Sequence, residues 1–116
     1  MKPNILKEKS FDFAVRIVRL YKYLRYKKEE YILSKQLMRS GTSIGAMVRE
    51  AEHSESRQDF IHKISIAQKG TNETLYWLEL LSATHYLTNT EYESINSDAT
   101  EIMRLITAIL RTAKKS

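Results

Sequence analysis

The chain contains no cysteine, one proline and three glycines among its 116 residues. Without cysteine there is no disulfide framework, no thiol nucleophile and no thiolate metal site, a composition that fits a reducing cytoplasm. Sheets and long irregular loops draw heavily on glycine and proline, so their scarcity predicts long helices joined by short connections. No apolar run approaches the roughly 20 residues of a bilayer-spanning helix. The opening "MKPNILKEKSFDF" is charged every few residues and has no apolar h-region, so neither a signal peptide nor a membrane partner is expected. Gly-rich phosphate loops, nucleophile elbows and zincin spacings are also missing. A non-catalytic protein without a cofactor is the expectation.

The residues present are those of a globular chain. Hydrophobic residues make up 42% and charged residues 28%. A length of 116 residues suits one domain, 1–116, burying roughly two-thirds of its unfolded surface. The net charge is +5, and its placement is uneven. From Ala14 to Arg49 the basic residues are Arg16, Arg19, Lys22, Arg25, Lys27, Lys28, Lys35, Arg39 and Arg49, against the acids Glu29 and Glu30. From Glu50 to Glu101 the balance reverses. Such asymmetry suggests a polyanionic partner for the first half.

Four segments carry helical periodicity, at about 11–26, 34–53, 57–85 and 91–113. In the first, Phe11, Ala14, Val15, Val18 and Tyr21 recur at three- and four-residue spacing, with Ile17 and Leu24 widening the stripe. Arg16, Arg19 and Tyr23 then point away from the core. Ser34 is the expected N-cap of the second helix, whose apolar edge is Leu37, Ile44, Val48 and Ala51. Gly41 and Gly45 lie inside that helix, each costing about 1 kcal/mol relative to alanine, which predicts a close approach by a neighbour. Ser56 and Asp59 resemble a capping box before the third helix. That helix carries one stripe at Phe60, Ile64, Ala67, Thr71, Leu75 and Leu78, and a second at Trp77, Leu80 and Leu81. Thr90 with Glu93 reads as the capping box of the fourth, where Ile95, Ala99, Ile102, Ile106, Ile109 and Ala113 stay in step. Short connections make consecutive helices antiparallel neighbours, so the expected fold is all-α, an up-down-up-down antiparallel four-helix bundle.

Glu50-x-x-His53 is half of a di-iron ligand set, and Asp59-x-x-His62 repeats the shape. A di-iron bundle also needs an inward glutamate from each remaining helix. The first helix offers only Asp12, and Glu101 lies beside the stripe of the fourth. With Ile44, Val48 and Ala51 facing the core, Glu50 and His53 turn to the opposite side. No metal site is expected.

"FDFAVRIVRLYKYL", followed by "LSKQLMRSGTSIGAMVREAEHSESRQDFIHKISIAQKGTNETLYWLELL", closely resembles the bacterial four-helix bundle proteins of the 23S rRNA intervening-sequence family. The likeness spans about Phe11 to Lys114 and is strongest from Leu33 to Leu81, where "DFIHK" and "YWLELL" make it specific. It implies a left-handed up-down bundle assembling into a homopentameric ring with a basic surface. It also implies kinship with the accessory protein of diversity-generating retroelements, which binds a reverse transcriptase and nucleic acid. The commoner family pattern ends its "S-I" segment in Asn-x-x-Glu-Gly. This chain has Met47-Val48-Arg49-Glu50-Ala51, which looks like a subgroup, so no role tied to that Asn and Gly is carried over to it and the implied fold is undisturbed.

Two functions follow as expectations. The nine basic residues are candidates for phosphate contact, and Tyr21, Tyr23, Tyr26 and Tyr31 among them for stacking on unpaired bases of RNA or DNA. The alternative is a scaffold that binds a polypeptide, such as a reverse transcriptase. Gly41, Gly45, Ala46, Trp77, Leu80 and Leu81 are the candidate faces of a homo-oligomer, because small residues permit close approach and tryptophan anchors interfaces.

Overall fold

The computed structural model describes residues 3–115, with side chains from Ile5 onward. Among these the chain forms four α-helices and no strand: α1 (Pro3–Tyr26), α2 (Leu33–Ala51), α3 (Arg57–Ala83) and α4 (Asn89–Lys115). Cross-helix partners show that neighbours run antiparallel. Lys7 pairs with Glu52 between α1 and α2, Thr74 bonds Ser40 between α2 and α3, and Lys9 and Arg16 reach Glu101 and Asp98 between α1 and α4. Each helix packs on the next, α4 returns to α1 along a sparser seam, and the two diagonal pairs stay apart. The result is the expected up-down-up-down bundle, 47 × 21 × 19 Å.

The central layer comes from one stripe per helix. Leu37, Ile44, Val48 and Ala51 of α2 are buried, as are Ile64, Ala67, Thr71, Leu78 and Leu81 of α3 and Ile95, Ala99, Ile102, Ile106 and Ile109 of α4. Phe60, Leu75 and Trp77 pack around its margin. For α1 the inward direction differs from the one predicted. Leu6, Ser10, Phe13, Ile17 and Leu24 face the centre, and Phe11 is left 55% exposed. Tyr23 packs against the core instead of pointing away. The cause is a longer helix that is apolar on two sides. Starting α1 at Pro3, where a missing amide hydrogen costs nothing, adds Leu6 and Ser10 to the Phe13–Ile17–Leu24 row. Phe11, Ala14, Val15 and Val18 become an outer apolar strip.

The glycines explain how α1 and α2 approach. A Cβ on Gly41 would lie 2.7 Å from Ile17 Cγ1, and one on Gly45 would lie 3.4 Å from the Ser10 carbonyl oxygen. The Gly41 contact is tight enough that alanine there would displace Ile17, and overpacking of about 1–3 kcal/mol outweighs the helical gain. Across the next seam Thr74 Oγ1 lies 2.9 Å from Ser40 Oγ and also bonds the Gly70 carbonyl, so both buried hydroxyls are satisfied.

Helix entry is capped in two ways. The α2 cap is the carboxylate of Glu30, which accepts from the amides of Ile32, Leu33 and Ser34 at 3.1, 3.0 and 2.6 Å. Ser34 is not the cap: it lies inside the helix, buried, and its hydroxyl donates to the Glu30 carbonyl. Ser56 accepts from the Asp59 amide at the start of α3, while Asp59 accepts from Glu55. At α4 the box is Thr88 with Glu91, not Thr90 with Glu93. The two residues bond one another's amides at 2.8 and 3.2 Å, which moves the helix start two residues earlier. α3 stops two residues short of His85, which adopts φ 68° while the Tyr86 amide returns to the Leu81 carbonyl. That is a Schellman ending with histidine in the place usually taken by glycine.

Candidate nucleic-acid interface

The antiparallel register sorts the nine basic candidates. Arg19, Lys22, Arg25, Lys27, Lys28 and Lys35 gather where α1 ends and α2 begins. Among the described residues none of these six has a carboxylate within ion-pair distance. Arg16 is instead committed to α4: Nη1 meets Asp98 Oδ2 at 2.7 Å, and Nη2 donates to Ser94 Oγ at 3.1 Å. Arg39 is held by Glu73 of α3 and by Gln36. Arg49 lies with Lys7, Glu8, Phe11 and Asp12 around a depression near the start of α1. It stands about 20 Å along α2 from Lys35, at 1.5 Å per residue. Of the nine cations grouped by sequence, six fall in the last two turns of α1, the connection and the first turn of α2.

The connection at 27–32, which carries Lys27 and Lys28 and has the other four on the helices either side, is tightly held. Glu29 sits in the left-handed region, φ 53°. The Glu30 amide bonds back to the Leu24 carbonyl at 2.9 Å, and its carboxylate, on a residue only 8% exposed, is spent on the three α2 amides. Glu30 therefore presents little negative charge outward. The four tyrosines divide as well. Tyr21 and Tyr23 are half-buried, whereas Tyr26 and Tyr31 are 72% and 48% exposed. The Arg25 guanidinium lies 6.0 Å from the Tyr26 ring centre and 5.2 Å from that of Tyr31, and Lys28 Nζ lies 5.8 Å from the Tyr23 ring. Cation–π attraction holds the cations near the rings. Ile32, 75% exposed, completes the tip.

A groove of about 490 Å³ runs between α1 and α4, floored by Leu20, Leu87 and Ile95 and edged by Arg16, Arg19 and Glu91. Sequence reasoning missed it, because two helices remote in sequence form it. On the opposite side of α1, Phe11 and Ala14 with Thr42, Gly45 and Ala46 line an apolar hollow of about 400 Å³. Its sequence signal is the Phe11–Ala14 stripe of α1, which faces outward here and not into the core.

Two of the six interface candidates are unavailable to another subunit. Gly41 is buried against Ile17 and Leu81 is fully buried in the core, both used by packing within the chain. Gly45 faces Ser10 but borders the hollow, and Ala46 is exposed. Trp77 is half-buried, donating its indole N–H to Glu73 at 3.1 Å and meeting Tyr76 edge-on, and Leu80 is also half-buried. Glu50 and His53 are both exposed, turned from the core. Among the described residues no group of three or more His, Cys, Asp or Glu is placed to hold a metal ion. No helix among them is long and apolar enough to cross a membrane.

One carboxylate departs from ordinary behaviour. The hydrogen bond from the Glu55 amide, followed by that from Lys63, holds the Asp59 carboxyl below its usual value.

Together these features define an all-α four-helix bundle with a cation-rich, tyrosine-bearing connection between its first two helices. The family model for the 23S rRNA-intervening sequence protein matches residues 2–108. The chain belongs to that family. A solved structure described as a protein with unknown function from the S23 ribosomal protein family of Bacteroides thetaiotaomicron is 58% identical. The two superpose with a TM-score of 0.94 over 96% of this chain and 99% of that one. The chain matches none of the curated proteins compared with it.

Proposed function

We propose that this chain is a non-catalytic bundle that self-associates and binds nucleic acid, structured RNA before DNA, through the basic surface of α1 and α2. The observation that carries the reading is the run of Arg19, Lys22, Arg25, Lys27, Lys28 and Lys35 around one connection in which Glu30 is buried and spent on capping α2, leaving Glu29 as the connection's exposed acid. Ammonium and guanidinium groups pair with phosphates and release condensed counterions, so binding is steeply salt-dependent and largely blind to sequence. A bacterial cytoplasm is the setting in which a cysteine-free, RNA-binding chain of this family would act.

Self-association rests on the outer apolar strip. Phe11, Ala14, Gly45 and Ala46 form the apolar part of a hollow also lined by Lys7, Arg49 and Glu50, beside the half-exposed Val15 and Val18. A ring, a pentamer by analogy with the family, repeats the basic connection once per subunit, and the copies reinforce one another through effective concentration. The same strip supports a second reading, a scaffold that seats a polypeptide such as a reverse transcriptase there and has little affinity for nucleic acid.

Fluorescence anisotropy of a labelled RNA hairpin and a DNA duplex, titrated at several salt concentrations, separates the readings. The binding reading expects saturable curves that weaken with salt and are lost when Lys22, Lys27 and Lys28 become glutamate. Flat titrations at low salt contradict it and leave the scaffold.

A further inference from the structure

The tip of the basic connection has features that phosphate binding does not require. Non-specific phosphate contact needs cations on flexible stems, and lysines on a polar loop would supply it. Here a short segment instead exposes Tyr26, Tyr31 and Ile32 to solvent on a closely bonded backbone. Three amides bonded to Glu30, the return from the Glu30 amide to Leu24 and the left-handed Glu29 leave the backbone little freedom. A non-glycine residue in the left-handed region persists only where its surroundings over-determine it, and such positions gather at binding sites. Arg25 lies between the two exposed rings at cation–π distance from both.

We infer that Tyr26, Arg25 and Tyr31 form a stacking platform for unpaired nucleotides, so that this end of the bundle prefers single-stranded or looped RNA to duplex. The inference rests on the nucleic-acid reading above and names the form of ligand that site takes. Every base offers a π-face once it leaves a helix, and aromatic rings and guanidinium planes both stack on it. In a duplex those faces are covered and only the phosphates remain within reach. Lys22, Lys27, Lys28 and Lys35, close in sequence to the platform, would hold the strand's phosphates while the rings take its bases. A membrane surface is the poorer fit. Interfacial insertion relies on a broad apolar helix face, and the tip has one exposed aliphatic side chain, Ile32, beside two hydroxyl-bearing rings.

The test uses the full chain with a short labelled oligouridylate and a blunt RNA duplex of matched charge. Four proteins are compared: the wild type, Tyr26→Ala/Tyr31→Ala, Tyr26→Phe/Tyr31→Phe and Lys22→Glu/Lys27→Glu/Lys28→Glu. Neither ring packs against the core, so the alanine variant is expected to keep the wild-type circular dichroism melt. The wild type is expected to favour the strand. The alanine variant should bind the strand roughly 10- to 100-fold more weakly with duplex binding nearly unchanged, and the phenylalanine variant should restore it. Equal loss on both probes, or no loss on the strand, overturns the platform while phosphate binding stands. If neither probe binds the wild type at low salt, the nucleic-acid reading fails and the platform with it. Binding of the wild type to anionic vesicles that is lost in the alanine variant, without loss on the strand, also overturns the platform, in favour of a membrane surface.

Discussion

The connections at 27–32 and 52–56 have the same mechanical task, to reverse the chain and cap the helix that follows. The second does it with exposed small polar groups: the Ser56 hydroxyl caps α3, and Asp59 closes back on Glu55. The first does it with a buried carboxylate that satisfies three amides, at the expense of a left-handed glutamate and with two tyrosines and an isoleucine left in solvent. Capping alone requires no exposed ring and no cluster of cations, as the second connection demonstrates. What the first adds is therefore the part of the molecule to read as functional.

Charge should separate the two connections most strongly. Reversing Lys22, Lys27 and Lys28 to glutamate should weaken RNA binding by about 100-fold, whereas Arg57→Glu beside the second connection should change it by less than about twofold. Anisotropy titrations at one fixed salt concentration measure both.

Stability should separate them next. Glu30→Ala leaves the amides of Ile32, Leu33 and Ser34 without their acceptor in a partly buried setting and is expected to cost about 2 kcal/mol. Ser56→Ala removes an exposed cap and should cost about 1 kcal/mol. Urea denaturation of the two variants ranks them, and equal losses would show that burial of the Glu30 cap adds nothing.

A smaller effect of opposite sign is expected at Glu29. Glycine at φ 53° relieves left-handed strain, so Glu29→Gly should stabilise by several tenths to about 1 kcal/mol, seen as a higher melting temperature. His85→Gly at the Schellman position of α3 should act in the same direction.

The smallest effect concerns acid. Because the Asp59 carboxyl is lowered in the folded chain, its contribution to stability is present above the unfolded carboxyl value and is lost as pH falls through the folded one. Wild type should therefore melt above Asp59→Asn at neutral pH, and the gap should close only below about pH 4. A gap that widens on acidification would contradict this assignment.

Much of the fold was legible because binary patterning works where a helix has one apolar side. In α2 and α4 the stripes at Leu37, Ile44 and Val48 and at Ile95, Ile102 and Ile106 allow one solution. α1 allows two, since Phe11, Val15 and Val18 on one side balance Leu6, Phe13 and Ile17 on the other. The choice was settled by Gly41 and Gly45, which admit Ile17 and Ser10 closely, and that contact exists only once α1 and α2 are packed. Pro3 was an available marker of the earlier helix start. Glu30 as a cap was hidden because its carboxylate reaches amides two to four residues ahead across a bend. His85 was hidden because it ends a helix without glycine.

Of the site, the sequence revealed the composition but not the partition. It could not separate Arg16 and Arg39, tied to Asp98 and Glu73, from Arg19, Lys22 and Lys27, because ion pairs between helices depend on register. Nor could it single out Tyr26 and Tyr31 from the half-buried Tyr21 and Tyr23, because burial depends on which neighbouring helix each ring meets.

The central claim, that the first connection and not the second meets nucleic acid, is tested most directly by photocrosslinking. The full chain is irradiated with a thiouridine-containing RNA hairpin, and the attached peptides are mapped by mass spectrometry. Crosslinks concentrated between Arg19 and Lys35, with Tyr26 and Tyr31 among the modified positions, are expected. Crosslinks confined to the segment around residues 52–63, or none at protein concentrations that saturate the RNA, would contradict the account.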